Sequence, residues 1–217
     1  MYAYHQQFSE ASVQQDKQDQ RRQQIRAAAY ELLAEKGYKA TSMLAIAKKA
    51  RASNETLYAW YGNKQTLFST LIQENASEVT AALEAALAAG SNFQTTMDRV
   101  GPLLLQLVTS DKAIILNRAA AADVNDTGVL GQSLARLGRD TVAPLLQKLF
   151  AEARKEGILN FKTADNVTDV YFGLLIGDTQ IRRATGSLQK LTESEVNLRA
   201  NRALKLFMKL FSTDVSK

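Results

Sequence analysis

The stretch NETLYAWYGNK, residues 54–64, concentrates side chains that can stack and exchange hydrogen bonds. It holds three of the chain's aromatic residues, including its only tryptophan, Trp60. Hydroxyl and amide groups lie beside the rings, at Ser53, Asn54 and Thr56. Such rings either fill a core or cover a partner outside the protein. These side chains are suited to binding a partner by stacking and hydrogen bonding. The secondary-structure elements that carry the rings determine whether the rings contact the core or such a partner.

The side chains of most enzyme chemistry are missing. A catalytic site needs an acid, a base, a nucleophile or metal ligands held together. The chain has no cysteine and a single histidine, His5, so thiolate nucleophiles and His/Cys metal sites are excluded. The carboxylate pair Asp165 and Asp169 is predicted to face solvent on an amphipathic helix, and no Gly-rich phosphate loop appears. We predict no enzyme activity, no metal and no cofactor.

The composition predicts an all-α protein. Alanine, leucine, glutamine and charged residues dominate and favour helices, while helix-breaking proline occurs only at Pro102 and Pro144. No apolar run approaches the ~20 residues that cross a bilayer. The first ten residues, MYAYHQQFSE, lack the basic start and apolar core of a signal peptide. These features predict a cytoplasmic protein without a membrane partner.

Positive charge concentrates in the first third of the chain. Residues 1–64 carry 10 Lys and Arg against 6 Asp and Glu, whereas the remainder carries 17 against 16. A basic surface of this kind suits a polyanion such as nucleic acid. On charge alone, a solvated basic face stays open as the alternative.

The amino-terminal region is predicted to begin with an arm and a long helix. Residues 1–19 are polar and glutamine-rich without a sustained period, which is typical of a flexible arm. A helix is predicted from Gln20 to Lys36 because apolar residues recur there at i, i+3 and i+4. Gly37 ends it, since glycine accepts a left-handed conformation cheaply.

Two short helices and a longer one are predicted next. Ser42 and Ser53 are candidate N-caps, and Thr41 is a third. The second short helix runs from Asn54 to about Tyr61, and the longer helix starts near Lys64. Short helices need a shared core. A pair of them on a supporting helix is the helix-turn-helix arrangement, whose second helix is presented outward.

The second short helix has two faces. Leu57 and Tyr61 stand at i and i+4, which predicts that they face the supporting core. Asn54, Tyr58 and Lys64 are predicted to lie round the other side, available to a partner.

The segment TSMLAIAKKARASNETLYAWYGNKQTLF, residues 41–68, resembles the amino-terminal DNA-binding region of the TetR/AcrR family of bacterial regulators. The matching positions are Thr41, Ser42, Ile46, Ala47, Ala50, Ser53, Thr56, Leu57, Tyr58, Tyr61, Lys64, Leu67 and Phe68. The resemblance implies a helix-turn-helix domain over residues 20–68 and a larger helical domain for ligand binding and dimerisation over 69–217. Double-stranded DNA is the implied partner.

The resemblance also implies roles for single residues. Groups expected on the DNA backbone are Thr41, Ser42, Ser53, Thr56, Tyr58 and Lys64. By side-chain chemistry, Asn54 and Glu55 are the best base readers, because asparagine pairs with adenine and glutamate accepts from cytosine. Glu55 stands where the family often has glycine or another small residue, and repulsion of wrong sequences is the alternative role for it. Trp60 matches a family position that often touches the DNA edge; a lid over the small core is the alternative.

Three positions depart from the family pattern. Arg51 and Ala52 replace a usual Gly-Val in the turn, so a positive φ there would strain Arg51. Leu44 stands where many members carry a polar or basic groove contact.

The remainder is predicted to be a run of amphipathic helices. The expected spans are 74–89, 93–109, 112–122, 127–156, 163–185 and 192–212. By resemblance, the last two form a four-helix bundle with a second subunit. The predicted interface residues are Val170, Leu174, Gly177, Ala200, Leu204, Phe207 and Phe211; an intrachain core is the alternative. Polar residues that interrupt the apolar helices, as candidate ligand contacts, are Asn117, Arg118, Asp178, Gln180 and Arg182.

These expectations describe a homodimeric repressor that a small-molecule effector releases from a near-palindromic operator. Two other interpretations stay open. One is an architectural or division-control DNA-binding protein without a small-molecule switch. The other is a helical protein–protein adaptor in which TLYAWYGNK is an interface.

Overall fold

The computed structural model describes residues 2–90 and 92–213, with side chains from residue 14 onward. Within that range the structure is helical, as predicted, with a lone bridge between Leu159 and Ser212. The first four helices are α1 (Tyr2–Ala40), α2 (Met43–Lys49), α3 (Asn54–Tyr61) and α4 (Lys64–Asn75). The next are α5 (Ser77–Ala89), α6 (Phe93–Thr109), α7 (Asp111–Asp123), α8 (Val129–Arg136) and α9 (Ala143–Lys155). The last are α10 (Ala164–Ile176), α11 (Thr179–Ala184) and α12 (Glu193–Phe211).

Helix α1 begins earlier than its sequence pattern predicts. The start expected near Gln20 is wrong, because the helical backbone continues from Tyr2 through most of the predicted arm, residues 1–19. That stretch contains no glycine or proline and is rich in glutamine, a good helix former. Gly37 breaks the helix with φ 72° and ψ 176°, as predicted. Residue 1 lies outside the described range.

The amino-terminal core is built by α1 to α4 together with parts of α7 and α8. Ile25, Ile46 and Leu57 are fully buried in it, one from each of the first three helices. Leu116 of α7 and Leu130 of α8 belong to the same cluster. The helix-turn-helix therefore rests on the larger part of the chain and shares its core with it.

The larger core lies among α5, α6, α9, α10 and α12. Its centre is aromatic, with Phe150 edge-on to Tyr171 at 5.8 Å and Phe207 edge-on to Tyr171 at 5.3 Å between ring centroids. Gly101 of α6 lets that helix pack closely on its neighbours, because a Cβ there would lie 2.9 Å from the Tyr171 hydroxyl and 3.4 Å from the Ala200 Cβ. Close-packed interiors leave no room for such an atom.

Two of the predicted long helices are interrupted. The predicted span 127–156 contains a π-helical segment, Leu137–Val142, between α8 and α9. Pro144 follows it and cannot donate to the carbonyl of residue 140, so the ordinary ladder fails there. The predicted span 163–185 breaks at Gly177, whose φ of 49° ends α10. In the described residues, no helix is long and apolar enough to cross a membrane.

Candidate nucleic-acid interface and effector cavity

The turn between α2 and α3 is fixed by side-chain caps at both helix starts. The Ser42 hydroxyl accepts the Ala45 amide of α2, and the Ser53 hydroxyl accepts the Thr56 amide of α3. The Ser53 and Thr56 hydroxyls also lie 2.8 Å apart. Ser42 and Ser53 are exposed, so each hydroxyl holds its helix at the surface. Both serine hydroxyls therefore cap their helices, and the predicted phosphate contacts of Ser42 and Ser53 are compatible with this capping.

Arg51 adopts the strained conformation that the sequence suggested. Its φ is +51°, and it is the only non-glycine residue with positive φ in the described range. The strain is held by Arg21 of α1, whose Nη1 donates to the Arg51 carbonyl at 2.9 Å. This contact ties the long first helix to the turn. It was not predicted, because Arg21 precedes Ile25, the first apolar residue of the predicted helix, and the spacing there does not indicate which side chain meets the turn.

Helix α3 presents the predicted outer face. Leu57 is fully buried and Tyr61 nearly so. Asn54 and Glu55 are exposed, Thr56 is half-buried, and Tyr58 keeps 49% of its surface accessible. Residues 54, 55 and 58 follow the spacing of one helix side. The structure therefore leaves an amide, a carboxylate and a phenol together on the side of α3 away from the core.

Trp60 is held within the domain more than the resemblance implies. The ring is half-buried against the amino-terminal core, and the Arg22 guanidinium lies 5.4 Å from its centroid. This placement fits the lid alternative.

Thr41 and Lys64 are turned inward, against the predicted backbone contacts. Thr41 is buried, and its hydroxyl donates to the Gly37 carbonyl at 2.8 Å. The Lys64 ammonium donates to the carbonyls of Tyr38 at 2.9 Å and Thr41 at 3.0 Å. It also lies 4.0 Å from the Tyr38 ring centroid. These two residues close the end of α1, because its last carbonyls have no partner within the helix.

Other cations near the turn differ in how they are paired. Lys49 bridges Glu31 at 2.9 Å and Glu35 at 2.8 Å, and the hydrogen bond to Glu35 raises the pKa of Lys49. Lys48 is exposed and has no ion pair among the described residues. Leu44 is also 65% exposed on α2. Lys48 and Arg51, which are both exposed, and Arg21 on the Arg51 carbonyl thus contribute positive charge near the turn that no carboxylate pairs with in the described part of the chain.

A cavity of about 460 Å³ lies between the two cores. Its wall is mainly apolar and includes Ile72, Leu104, Leu116, Val142 and Phe172. Ile72 and Leu116 belong to the amino-terminal core, whereas Leu104 and Val142 belong to the larger one. The π-helical segment forms part of the wall. A size of a few hundred cubic ångströms suits a drug-sized ligand.

The predicted ligand contacts divide into two groups. Asn117 and Gln180 line the cavity. Arg118, Asp178 and Arg182 do not line it. The Arg118 Nε donates to the Ala184 carbonyl at 2.8 Å, and Arg182 lies 4.0 Å from Asp178 on an exposed helix face. Asn75 lines the cavity as well and was missed, because it lies at the start of the predicted amphipathic helix 74–89, where no ligand contact was expected.

The residues predicted for the dimer interface also fall into two groups. Ala200, Leu204 and Phe207 are buried in the chain's own core, so their assignment to a partner subunit is wrong. Gly177 is the cap of α10, where the Arg199 Nε donates to Leu175 O at 2.6 Å and Nη2 to Ile176 O at 2.9 Å.

Apolar residues nevertheless remain accessible on the last helices. Val170, Leu174 and Phe211 are only half-buried. Leu198 and Leu210 of α12 are 71% and 61% exposed, and Ile181 of α11 is exposed too. The accessible stripe on α10 to α12 therefore includes Leu198, which the sequence pattern did not single out.

A helix-turn-helix with an exposed second helix, joined through a shared core to a helical domain with an apolar cavity, defines a DNA-binding regulator with a ligand-binding domain. Residues 25–71 match the bacterial regulatory proteins of the tetR family, and residues 95–213 match the AefR-like transcriptional repressor carboxy-terminal domain. The chain belongs to the TetR family of transcriptional regulators.

Proteins with similar sequences or structures are also transcriptional regulators. The HTH-type transcriptional repressor KstR of Mycolicibacterium smegmatis is 25% identical over 195 residues, which span 88% of this chain and 92% of KstR. The flavonoid-responsive regulator FrrA is 26% identical with a TM-score of 0.63, covering 91% of this chain and all of FrrA. A TetR-family regulator from Mesorhizobium loti has a TM-score of 0.74 at 20% identity, over 90% of this chain and 98% of its own.

Proposed function

We propose that this regulator is a homodimeric repressor that leaves its operator when a small molecule fills the cavity between its two cores. One observation carries the proposal: Ile72 and Leu116 are at once cavity wall and members of the core that supports the helix-turn-helix. A ligand that repositions this wall changes the support of α3. A regulator of this kind acts where the bacterial chromosome is, in the cytoplasm, and needs no catalytic step.

The DNA contacts belong to the exposed side of α3 and its surroundings. Asn54 and Glu55 read base edges, and Tyr58, Ser42, Ser53 and Thr56 meet the phosphate backbone. The amides at the start of α3 favour phosphate through their partial positive charge. Lys48 and Arg51 take over the electrostatic role first expected of Lys64, whose ammonium already serves two carbonyls.

Dimerisation follows the accessible apolar stripe. Val170 and Leu174 of α10, with Leu198 and Leu210 of α12, form the face of a second subunit. Pairing places two copies of α3 about one DNA turn apart, which matches a near-palindromic site.

The DNA-binding proposal is tested by fluorescence anisotropy with duplex fragments from the gene neighbourhood at ~50 mM salt. Binding should weaken steeply as salt rises, because phosphate contacts release counterions. Asn54→Ala should cost about 1–3 kcal/mol at particular base pairs, while Tyr58→Ala should weaken all sequences alike. Asn160→Ala, an exposed asparagine on the far domain, is the matched control and should bind as the unchanged protein does. If the protein binds no duplex fragment at low salt, the repressor hypothesis is wrong and the protein–protein adaptor interpretation is favoured.

The switch is tested separately through reciprocity. A compound that lowers the affinity for DNA by some factor must itself bind the DNA-bound protein more weakly by the same factor. Compounds that shift the thermal unfolding midpoint are therefore titrated against protein alone and against the protein–DNA complex. The Asn54→Ala variant should keep full affinity for such a compound. If compounds bind the cavity and the affinity for DNA does not fall, the protein is an architectural DNA-binding protein without a small-molecule switch.

A further inference from the structure

The polar end of the cavity lies at the carboxyl end of α6. The last carbonyls of a helix have no partner within it. Here each of the final three accepts from a side chain on another helix: Leu107 from Asn75 Nδ2 at 3.2 Å, Val108 from Gln180 Nε2 at 3.2 Å, and Thr109 from Arg183 Nε at 3.1 Å. Asn75 and Gln180 therefore cap α6 and line the cavity at once.

These contacts fix which way the amide groups point. A carbonyl oxygen only accepts hydrogen bonds, so the amide atom that faces it must be the nitrogen. Asn117 follows the same rule, since its Nδ2 donates to the Ala113 carbonyl at 2.8 Å. The remaining oxygens of Asn75, Asn117 and Gln180 accept no hydrogen bond from any residue in the described part of the chain. Each amide nitrogen carries two hydrogens and uses one of them in these bonds, so each of the three side chains that line the cavity keeps an unpaired oxygen acceptor and one unpaired N–H donor in the described chain.

Among the residues that the structure describes, none that lines this cavity is charged. The carboxyl end of a helix carries a partial negative charge, so carboxylates and phosphates are disfavoured beside it. A full positive charge would lose its hydration against the apolar wall without a carboxylate partner. The electrostatics of the site therefore select against ions of both signs.

We propose that the effector is a neutral, largely apolar molecule with two or more hydroxyl or N–H donors, of which a polyphenol is the model case. Its donors pair with the amide oxygens at the end of α6, and its apolar body lies against the leucines and Phe172. The proposal rests on the regulator function set out above and narrows its ligand. A site built to hydrogen-bond a hydroxyl discriminates against the analogue that lacks it, because its buried acceptors then lose their water without gaining a partner.

The probes are two pairs whose members differ only in their hydroxyl groups. Apigenin is compared with flavone, and bisphenol A with 2,2-diphenylpropane, by isothermal titration calorimetry on the full chain. The hydroxylated member should bind at least ten-fold more tightly in at least one pair. Palmitoyl-CoA, an anionic alternative, should bind more weakly than the best phenol.

Two variants assign the preference to the amides. Gln180→Met keeps the side-chain length but removes both the amide oxygen and the nitrogen that donates to the Val108 carbonyl, whereas Asn117→Leu removes an amide that bonds only within its own helix. In each, the ratio of phenol to deoxygenated affinity should fall at least five-fold, with the affinity of the deoxygenated probe nearly unchanged. Gln147→Met is the matched control, since Gln147 bonds to Asp165 away from the cavity.

The outcomes separate the ligand class from the switch. If neither phenol binds more tightly than its deoxygenated partner, or if palmitoyl-CoA binds best, the proposed ligand class is wrong; release of DNA by palmitoyl-CoA would still support a ligand-released repressor. If the phenols bind with the expected preference but leave the affinity for DNA unchanged, the ligand class stands and the switch fails.

Discussion

At the scale of single residues, Tyr38 and Lys64 form a small polar cluster inside the joint between the helix-turn-helix and the larger domain. The Tyr38 ring packs edge-on to Phe68 at 5.6 Å and receives the Lys64 ammonium on its face. Lys39 beside it pairs with Asp126 of the larger domain at 3.6 Å. Burial lowers the pKa of Lys64, while the carboxylates of Asp123 and Asp126 act in the opposite direction.

The Tyr38 hydroxyl is buried and has no hydrogen-bond partner among the described residues. Tyr38→Phe keeps the ring for Lys64 and removes a desolvated hydroxyl. We expect the free energy of unfolding at pH 7.5 to stay unchanged or rise by up to about 1 kcal/mol. Urea denaturation followed by circular dichroism measures it. A loss of more than about 1 kcal/mol would mean that a bound water satisfies the hydroxyl.

The same variant changes the response to alkaline pH. Burial, reinforced by Asp123 and Asp126, raises the pKa of Tyr38 from 10.0 to about 12. A group whose pKa is raised by folding contributes stability below its unfolded pKa and loses it as the pH rises through the folded value. The protein should therefore lose stability between pH 10 and 12, and Tyr38→Phe should lose less. Equal losses in both proteins would assign the effect to other groups, such as Tyr30, whose pKa burial also raises to about 12.

At the scale of elements, α6 is held by contacts at both its middle and its end. Gly101→Ala improves helix propensity by up to about 1 kcal/mol but adds a Cβ 2.9 Å from the Tyr171 hydroxyl. Tyr171 is fully buried between Phe150 and Phe207 and cannot move aside. We expect a net loss of about 1–2 kcal/mol in the free energy of unfolding, since overpacking outweighs propensity.

Two companion variants make the test of Gly101 specific. Tyr171→Phe removes the hydroxyl, which has no hydrogen-bond partner in the described chain, so the double variant should recover most of the loss. Gly131→Ala, at a helical glycine with nothing within 4 Å of a Cβ, should be neutral or stabilising by about 0.5–1 kcal/mol. If Gly101→Ala behaves like Gly131→Ala, the core around Tyr171 is looser than its contacts indicate.

Helix boundaries followed from the sequence because their signals are local. Ser42, Ser53 and Asn63 each cap the helix predicted to follow them, and Thr192 with Glu195 forms a capping box at the start of α12. The exceptions are the start of α1 and the interruptions of the predicted spans 127–156 and 163–185. Gly177 was assigned to the partner interface, whereas in the structure it ends α10.

At the scale of the whole molecule, the sequence predicted the order of the two domains and the outer face of α3. It did not predict which apolar face of α12 stays within the chain, because buried and accessible stripes have the same period. Nor did spacing show that Lys64 lies beside the end of α1, since that contact joins residues 26 positions apart. Residue roles that depend on contacts with distant parts of the chain were not predicted from the sequence, whereas roles set within one helical turn were.

The accessible apolar stripe on α10 to α12 predicts that two chains associate through this face. Leu198→Glu places a charge on a side chain that is 71% exposed in the single chain. In the proposed dimer that charge is buried without a partner, so association should weaken at least ten-fold in sedimentation equilibrium. Binding to an operator with two half-sites should fall with it, because the second α3 no longer lies one turn away.

Two controls distinguish a lost interface from a damaged fold. Leu44→Glu makes the same change at a leucine of similar exposure on α2 and should leave the oligomeric state unchanged. Phe207→Ala, at a ring buried in the chain's own core, should instead lower the free energy of unfolding by about 3–5 kcal/mol. If Leu198→Glu still sediments as a dimer, the pairing surface lies elsewhere. If it unfolds as Phe207→Ala does, Leu198 supports the fold of a single subunit.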